Sequence, residues 1–378
     1  MEWIKLSLPH KAGNEMKYIE KAYRDDWFVP LGPDVDEFER RLTAFEGGRR
    51  PVVALSAGTA ALHLGLVMLG VGKGDEVICQ SLTFSASCNP VLYQGSTPVF
   101  VDSEKPTWNM DPGLLEEAIN DRIAKTGRKP KAIVAVDLYG MPADFSRICE
   151  IARRYDIPLL EDAAEGMGSN YKGEHCGNFG EYGALSFNGN KIITTSGGGA
   201  LICPDDEAAA RVKFLATQAR ENRPYYYHTV VGYNYRLSNI SAAIGCAQIE
   251  QIEERLARRR RIHSLYAEAF AETPVLRIHD NPTADYDSNF WLTTALLDDS
   301  CGLTPDELRL ALLDRKIETR LLWRPMHMQP LYAEAPYYGT GISDRLFDRG
   351  ICLPSGSSLD DGSIERVVDA IREIIIAH

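Results

Sequence analysis

Beginning at Pro51, short apolar runs and helical stretches take turns along the chain. "PVVALS" reads as a strand and "GTAALHLGLVMLG" as the helix after it. "DEVICQ", "TPVFVD", "KAIVAVDLYG" and "IPLLEDAAE" read as further strands. "SASCNPVLYQG", "DPGLLEEAINDRI" and "DFSRICEIARRYD" supply the helices between them, with Asp111 as a cap and Pro112 at a first helical position. "GALSFN" and "GALICP" are two more strands, flanking "SFNGNKIITTSGGGA". Units of about 30 residues with nearly continuous apolar strands predict a mostly parallel or mixed sheet covered by helices on both faces. Functional groups in such sheets gather beyond the carboxyl ends of the strands, which singles out Asp162 at the end of "IPLLED".

At 378 residues the chain is long enough for a large domain and a smaller one. The expected division is 1–250, with an N-terminal arm, and 251–378, joined by a long helical stretch from Asn239 to Phe270. "NFWLTTALL" and "ICLPSG" read as strands of the second domain, "TPDELRLALLDRK" and "SIERVVDAIREIII" as its helices. "PLGPDVDEFERRLTAF" predicts a turn and a helix over Asp34–Phe45, with the rest of the first 50 residues an arm on another surface. The four arginines at 258–261 read as a solvated or salt-bridged helix face.

Several function classes fall away. A net charge of -12 argues against nucleic-acid partners. No apolar run reaches the roughly 18 residues of a membrane span, and the first residues lack a signal-peptide layout. Eight scattered cysteines without a CxxC pair fit a reducing cytoplasm and no metal site. His175 and Cys176 have no metal-spaced companions, and no phosphate-loop, HExxH or GxSxG motif occurs.

What remains is an ordered set: "SAGTAAL", "EDAAEG", Ser186, Lys191 and "GYNYR". Gly58 and Thr59 lie where a strand turns into a helix, so their N–H groups suit a phosphate. Ser186 adds a hydroxyl. Asp162 is placed to pair with a protonated ring nitrogen, Lys191 to form an imine, and Phe84 to cover a flat ring. Together these describe pyridoxal phosphate; a buried lysine paired structurally with Asp162 is the alternative.

The order of these motifs over nearly the whole chain resembles the DegT/DnrJ/EryC1/StrS sugar aminotransferases, of the aspartate-aminotransferase-like fold type I. The resemblance implies a large α/β domain with a mostly parallel, mixed seven-stranded sheet and a smaller C-terminal α/β domain. It implies Lys191 as the Schiff-base lysine, Asp162 as the partner of the pyridine nitrogen, Gly58, Thr59 and Ser186 on the phosphate, and Phe84 stacked on the ring. Asn234 would reach the phosphate of a neighbouring subunit, which implies a homodimer with shared active sites. The family often carries Gln or His where this chain has Glu165; a carboxylate there would be repelled by the cofactor's O3′ unless protonated or turned away, and it tunes the ring or touches substrate instead.

"SFNGNKIITTSGGGALI" is similar to enzymes that aminate C4 of a UDP-linked 4-keto-6-deoxy-N-acetylhexosamine, with L-glutamate as the implied donor. The alternatives are 3- or 4-amination of a dTDP- or GDP-linked keto-deoxysugar, and a non-catalytic regulatory protein on the same fold. C3 dehydratases of this kind replace the lysine with histidine, so Lys191 speaks against that reaction. For the substrate, Phe28 in "WFVPLGP" and Arg223 and His228 in "RPYYYHTV" are candidates at subunit edges. "LLWRPMHMQP" resembles the family's "WKPMH" segment and offers Trp323, Met326 and His327, with core packing as the alternative for Trp323 and Met326. Arg236 suits either a substrate anion or a salt bridge at a helix start.

Overall fold

The computed structural model describes residues 2–377. Its main sheet has strands in the order Val52–Leu55, Gly199–Ile202, Tyr182–Ser186, Leu159–Asp162, Ala132–Val136, Glu76–Gln80, Thr97–Val101 and Tyr337–Tyr338. All run parallel except Gly199–Ile202, which is antiparallel to both its neighbours. The expected seven strands are present, and an eighth, two-residue strand comes from the C-terminal part of the chain to cover the edge at Thr97–Val101.

Alternation along each strand sends side chains to opposite faces. Val77, Cys79, Ala132 and Val134 pack on one side with Leu62, Leu64 and Leu66 of the helix Gly58–Met68. Ile78, Ile133 and Ala135 pack on the other with Leu115 and Ile119 of Pro112–Thr126 and Ile148 of Phe145–Tyr155. Asp111 caps its helix as expected, accepting from the N–H groups of Gly113 and Leu114. A sheet buried on both faces explains why these strands read as unbroken apolar runs.

A second sheet, wholly antiparallel, orders Leu276–Ile278, Thr294–Leu297, Gly350–Cys352 and Arg320–Leu321. The helices Ile252–Phe270, Pro305–Asp314 and Asp361–Ile376 share its core through Ile262, Leu308 and Ile371. The stretch expected as one helix from Asn239 to Phe270 is two, Asn239–Ile249 and Ile252–Phe270, interrupted at Glu250–Gln251. The second joins both cores: Ile252 and Leu256 pack with the large sheet's helices, Ile262, Tyr266 and Phe270 with the small sheet.

The N-terminal arm crosses the small sheet's side of the molecule. Ile4 exchanges backbone hydrogen bonds with Lys316 and Glu318, and the Leu6 carbonyl accepts from Ser355 N–H. Among residues 258–261, Arg258, Arg260 and Arg261 make ion pairs at the surface, as expected. Arg259 does not: it is 1% exposed and points inward, because a helix of 3.6 residues per turn cannot keep four consecutive side chains on one face. No described helix is long and apolar enough to cross a membrane, and the eight cysteines are all free.

Candidate active site

The parallel strands end along one edge of the main sheet, and a cavity of about 990 Å³ opens there. Gly58, Thr59, Phe84, Asp162, Glu165, Ser186, Lys191 and Trp323, eight of the residues expected from sequence, line it together.

The helix Gly58–Met68 starts directly after the strand Val52–Leu55, with Ala57 extended at its N-cap and no side chain capping it. The first-turn N–H groups therefore lack intrahelical partners and present the positive end of the helix to the cavity. The antiparallel strand begins beside them, with Gly199 opposite both Leu55 and Ser186. A Cβ on Gly199 would lie 2.4 Å from the Gly58 nitrogen. The glycine run after Lys191 is thus a wall of bare backbone, and it leaves the helix end open to an anion.

Asp162 closes its strand with 4% of its surface exposed. Its Oδ2 accepts from the Ser87 hydroxyl at 2.6 Å and its Oδ1 from Ala164 N–H at 3.2 Å. Burial holds this carboxyl above the usual carboxylate range, while Ser87, Ala164 and the Lys191 charge pull it back. Each oxygen keeps a lone pair, and a cationic N–H donor would offset the cost of burying the charge. Phe84, which lines this cavity, is 55% exposed and tilted against Trp323 at 5.4 Å between centroids. A buried carboxylate, an exposed aromatic face, a helix end without a side-chain cap and an amine fit pyridoxal phosphate.

The Lys191 ammonium is 3.0 Å from Glu165 Oε1 and 4.0 Å from the centre of the Trp291 ring. Glu165 also accepts from Tyr139 N–H through Oε2 at 2.7 Å. Tyr139 reaches it from a left-handed backbone conformation, φ 56°, uncommon for a bulky side chain. Its hydroxyl in turn accepts from Trp323 N–H at 2.9 Å. Asn289 fixes the segment from both sides, donating to the carbonyls of Glu165 and Met167 and accepting from Trp291 N–H. Lys191 therefore pairs with Glu165, not with Asp162, in contrast to the purely structural alternative.

Ser87, Tyr139, Asn289 and Trp291 have no role in the sequence reading. Asn289 and Trp291 fall in "NFWLTTALL", expected as strand throughout; the strand covers only Thr294–Leu297, and the preceding residues turn through Phe290 at φ 47° towards the cavity. The mixture of an amide and two aromatics ahead of a β-branched run was the available signal.

Seven expected residues do not line this cavity. Met326 is 3% exposed in the core beside the helix Gly58–Met68. His327 is held between Ser81 Oγ at 2.7 Å and Asp344 at 3.0 Å and stacks on Tyr337. Arg236 pairs with the buried Glu39 and donates to the Ala54 carbonyl at 2.9 Å, the salt bridge that its sequence position also allowed. Substrate contact was one reading for each of these three, beside core packing for Met326 and a salt bridge for Arg236, and each has its polar or apolar surface taken up by its own chain. Phe28 stacks on Tyr23 and is 56% exposed. Arg223 and His228 sit in the exposed 220–231 loop, His228 bonded to the Gln218 carbonyl. Asn234 is exposed and accepts from Gln218 Nε2 at 3.0 Å.

Residues 9–372 match the DegT/DnrJ/EryC1/StrS aminotransferase family. EpsN of Bacillus subtilis, assigned as a pyridoxal phosphate-dependent aminotransferase, is 46% identical over 98% of this chain and 95% of its own length. The GDP-perosamine synthase of Caulobacter vibrioides is 37% identical over 99% of this chain and 98% of its own. The crystal structure of a DegT DnrJ EryC1 StrS aminotransferase from Brucella abortus superposes with a TM-score of 0.89 at 30% identity, covering 96% of this chain and 95% of that one.

Proposed function

The chain belongs to the DegT/DnrJ/EryC1/StrS aminotransferase family, and from that premise we propose that it holds pyridoxal phosphate through Lys191 and carries an amino group from L-glutamate to C4 of a nucleotide-linked 4-keto-6-deoxyhexose. The family gives the coarser activity, pyridoxal phosphate-dependent transamination of a nucleotide-linked keto-deoxysugar. Attachment residue, donor, carbon and nucleotide are the proposal. One observation carries the attachment: Lys191 and Asp162 line the same cavity as the open N-terminus of Gly58–Met68.

Pyridoxal phosphate supplies a reactive aldehyde and an electron-withdrawing ring. The N–H groups of Gly58 and Thr59 and the Ser186 hydroxyl bind its phosphate. Asp162 accepts from the ring nitrogen, and Phe84 covers the ring face. Lys191 Nζ takes the proton from the donor's α-carbon and returns it within the cavity; in the second half-reaction it moves a proton the opposite way. Trp291 and Trp323 line the cavity beside these transfers.

For the nucleotide, guanosine diphosphate replaces the uridine diphosphate expected from the lysine segment. Its support is the GDP-perosamine synthase likeness over 99% of the chain. The UDP-linked N-acetylhexosamine stays as the second reading, resting on "SFNGNKIITTSGGG".

Phe28, Arg223, His228 and Asn234 would act on a second copy's cavity in a homodimer, Asn234 at the cofactor phosphate and the others at the nucleotide sugar. Tyr225, Tyr226 and Val231, which are 61%, 77% and 78% exposed, lie in the same stretch. That is apolar surface an interface would cover.

The test offers GDP- and dTDP-linked 4-keto-6-deoxyhexoses, a UDP-linked 4-keto-6-deoxy-N-acetylhexosamine and a nucleotide-linked 3-keto isomer with L-glutamate, and reads the product by NMR. Amination at C4 of the GDP sugar is expected. Turnover of the UDP sugar alone favours the second reading, and exclusive amination of a 3-keto sugar removes the C4 assignment.

A further inference from the structure

We infer that Glu165 is the proton acceptor of Lys191, taking the surplus proton that must leave the lysine before it can attack an aldehyde. The inference rests on Lys191 being the attachment amine.

The geometry commits Glu165 to this partner. One carboxylate oxygen is fixed by Tyr139 N–H at 2.7 Å, and the other faces Lys191 Nζ at 3.0 Å. The carboxylate is 3% exposed, so little water reaches the second oxygen. Trp291, on the other side of the amine, offers a ring face and no acceptor. Among the described residues Glu165 is therefore the one carboxylate within hydrogen-bond reach of the Lys191 amine, although Asp162 lies in the same cavity.

The charges around Glu165 set when it works. Asp162, three residues earlier on its own segment, opposes its ionisation, and Lys191 favours it. The Tyr139 phenol, from the 138–140 turn, and the Cys352 thiol, from the strand Gly350–Cys352, also face it, and burial pushes both up, so they stay neutral. Burial raises Glu165 to about 7. A carboxyl near neutrality can both accept and return a proton, which a general base at working pH requires.

In the step, an Nζ–H bond of the ammonium breaks with its electron pair left on nitrogen, and an O–H bond forms at Glu165 Oε1. The pair goes from opposite charges to two neutral groups, with no change in total charge and no further reactant. Glutamine could hold the hydrogen bond but could not take the proton.

The experiment mixes apoprotein with pyridoxal phosphate and follows the rate of loading by absorbance, with borohydride trapping and peptide mapping at Lys191. Glu165→Gln is expected to load about tenfold more slowly near neutral pH and to lose the fall in rate below pH 7. A carboxylate that only stabilises the ammonium would have the opposite effect, because removing it frees the amine. Loading by Glu165→Gln as fast as or faster than the parent therefore overturns the inference.

Should the variant misfold, the wild-type apoprotein still decides. Acetylation of Lys191 by limiting acetic anhydride, read against an exposed lysine by mass spectrometry, must show an inflection near pH 7; a profile without one overturns the proposal. No adduct on Lys191 at any pH overturns the attachment reading itself, whereas loading with an unchanged profile overturns only the role of Glu165.

Discussion

The Ser87 hydroxyl donates a 2.6 Å hydrogen bond to Asp162 Oδ2, and both side chains are buried at the end of the same cavity. Ser87 is one of the groups holding Asp162 down against the upward pull of burial. Ser87→Ala should let that carboxyl rise further and weaken its hold on a cationic ring nitrogen. A charge-assisted bond of this kind contributes about 1.5 kcal/mol. Pyridoxal phosphate should then bind the Ser87→Ala apoprotein roughly tenfold more weakly, measured by absorbance titration. Unchanged affinity would contradict the ring-nitrogen role of Asp162.

Glu165 also makes apoprotein stability depend on pH. Its folded value, about 7, lies above its ordinary 4.5. Between these values the folded chain keeps a proton that the unfolded chain has lost. Stability is therefore fully present below about 4.5 and falls as pH rises through about 7, by on the order of 3 kcal/mol from this group. Glu165→Gln should flatten the dependence of Tm on pH across that window. Parallel curves for the two apoproteins would show that Glu165 titrates as an ordinary carboxyl.

Arg259 ties two residues of the cavity wall, Trp291 and Ser7, to Ser355 behind them. It donates to the Trp291 carbonyl, to the Ser355 carbonyl at 3.1 Å and to the Ser7 hydroxyl at 3.2 Å. Burial lowers its guanidinium to about 9, so at neutral pH it remains a cation. Arg259→Met keeps much of the volume but leaves these acceptors unpaired, a loss of about 3 kcal/mol. The urea midpoint should drop with an unchanged slope. A midpoint within error of the parent would mean that water replaces the guanidinium there.

Much of the large sheet was legible because its strands are buried on both faces and read as unbroken apolar runs. Asp162 and Ser186 stood out as polar residues where such runs stop. Lys191 stood out because the Ser196–Gly199 run a few residues on is too small to pack a core. The remaining site residues gave weaker signals. Trp291 follows two residues expected in a strand, and only the tertiary hold of Asn289 and Arg259 turns it into the cavity. Met326 and His327 sit within three and four residues of Trp323, which does line the cavity. A short irregular segment has no fixed period, so spacing could not tell which side chain points inward. Arg259 was hidden among identical neighbours.

The proposed sharing of active sites between two chains yields the sharpest test of assembly. Lys191 lines its own chain's cavity and Asn234 does not. If Asn234 serves a partner's phosphate site, the two residues of one working site come from different chains. Lys191→Ala and Asn234→Asp homodimers should each be nearly inactive, the second because a carboxylate would face a phosphate. A hybrid of the two places both defects in one site and leaves the other intact. Random re-pairing of equal amounts makes half the dimers hybrid, so about a quarter of the parent activity should return. If both residues served the same chain's site, every site in the mixture would carry one defect and no activity would return. Size-exclusion chromatography of the mixture establishes that dimers are present, and the regained rate then reports where Asn234 acts.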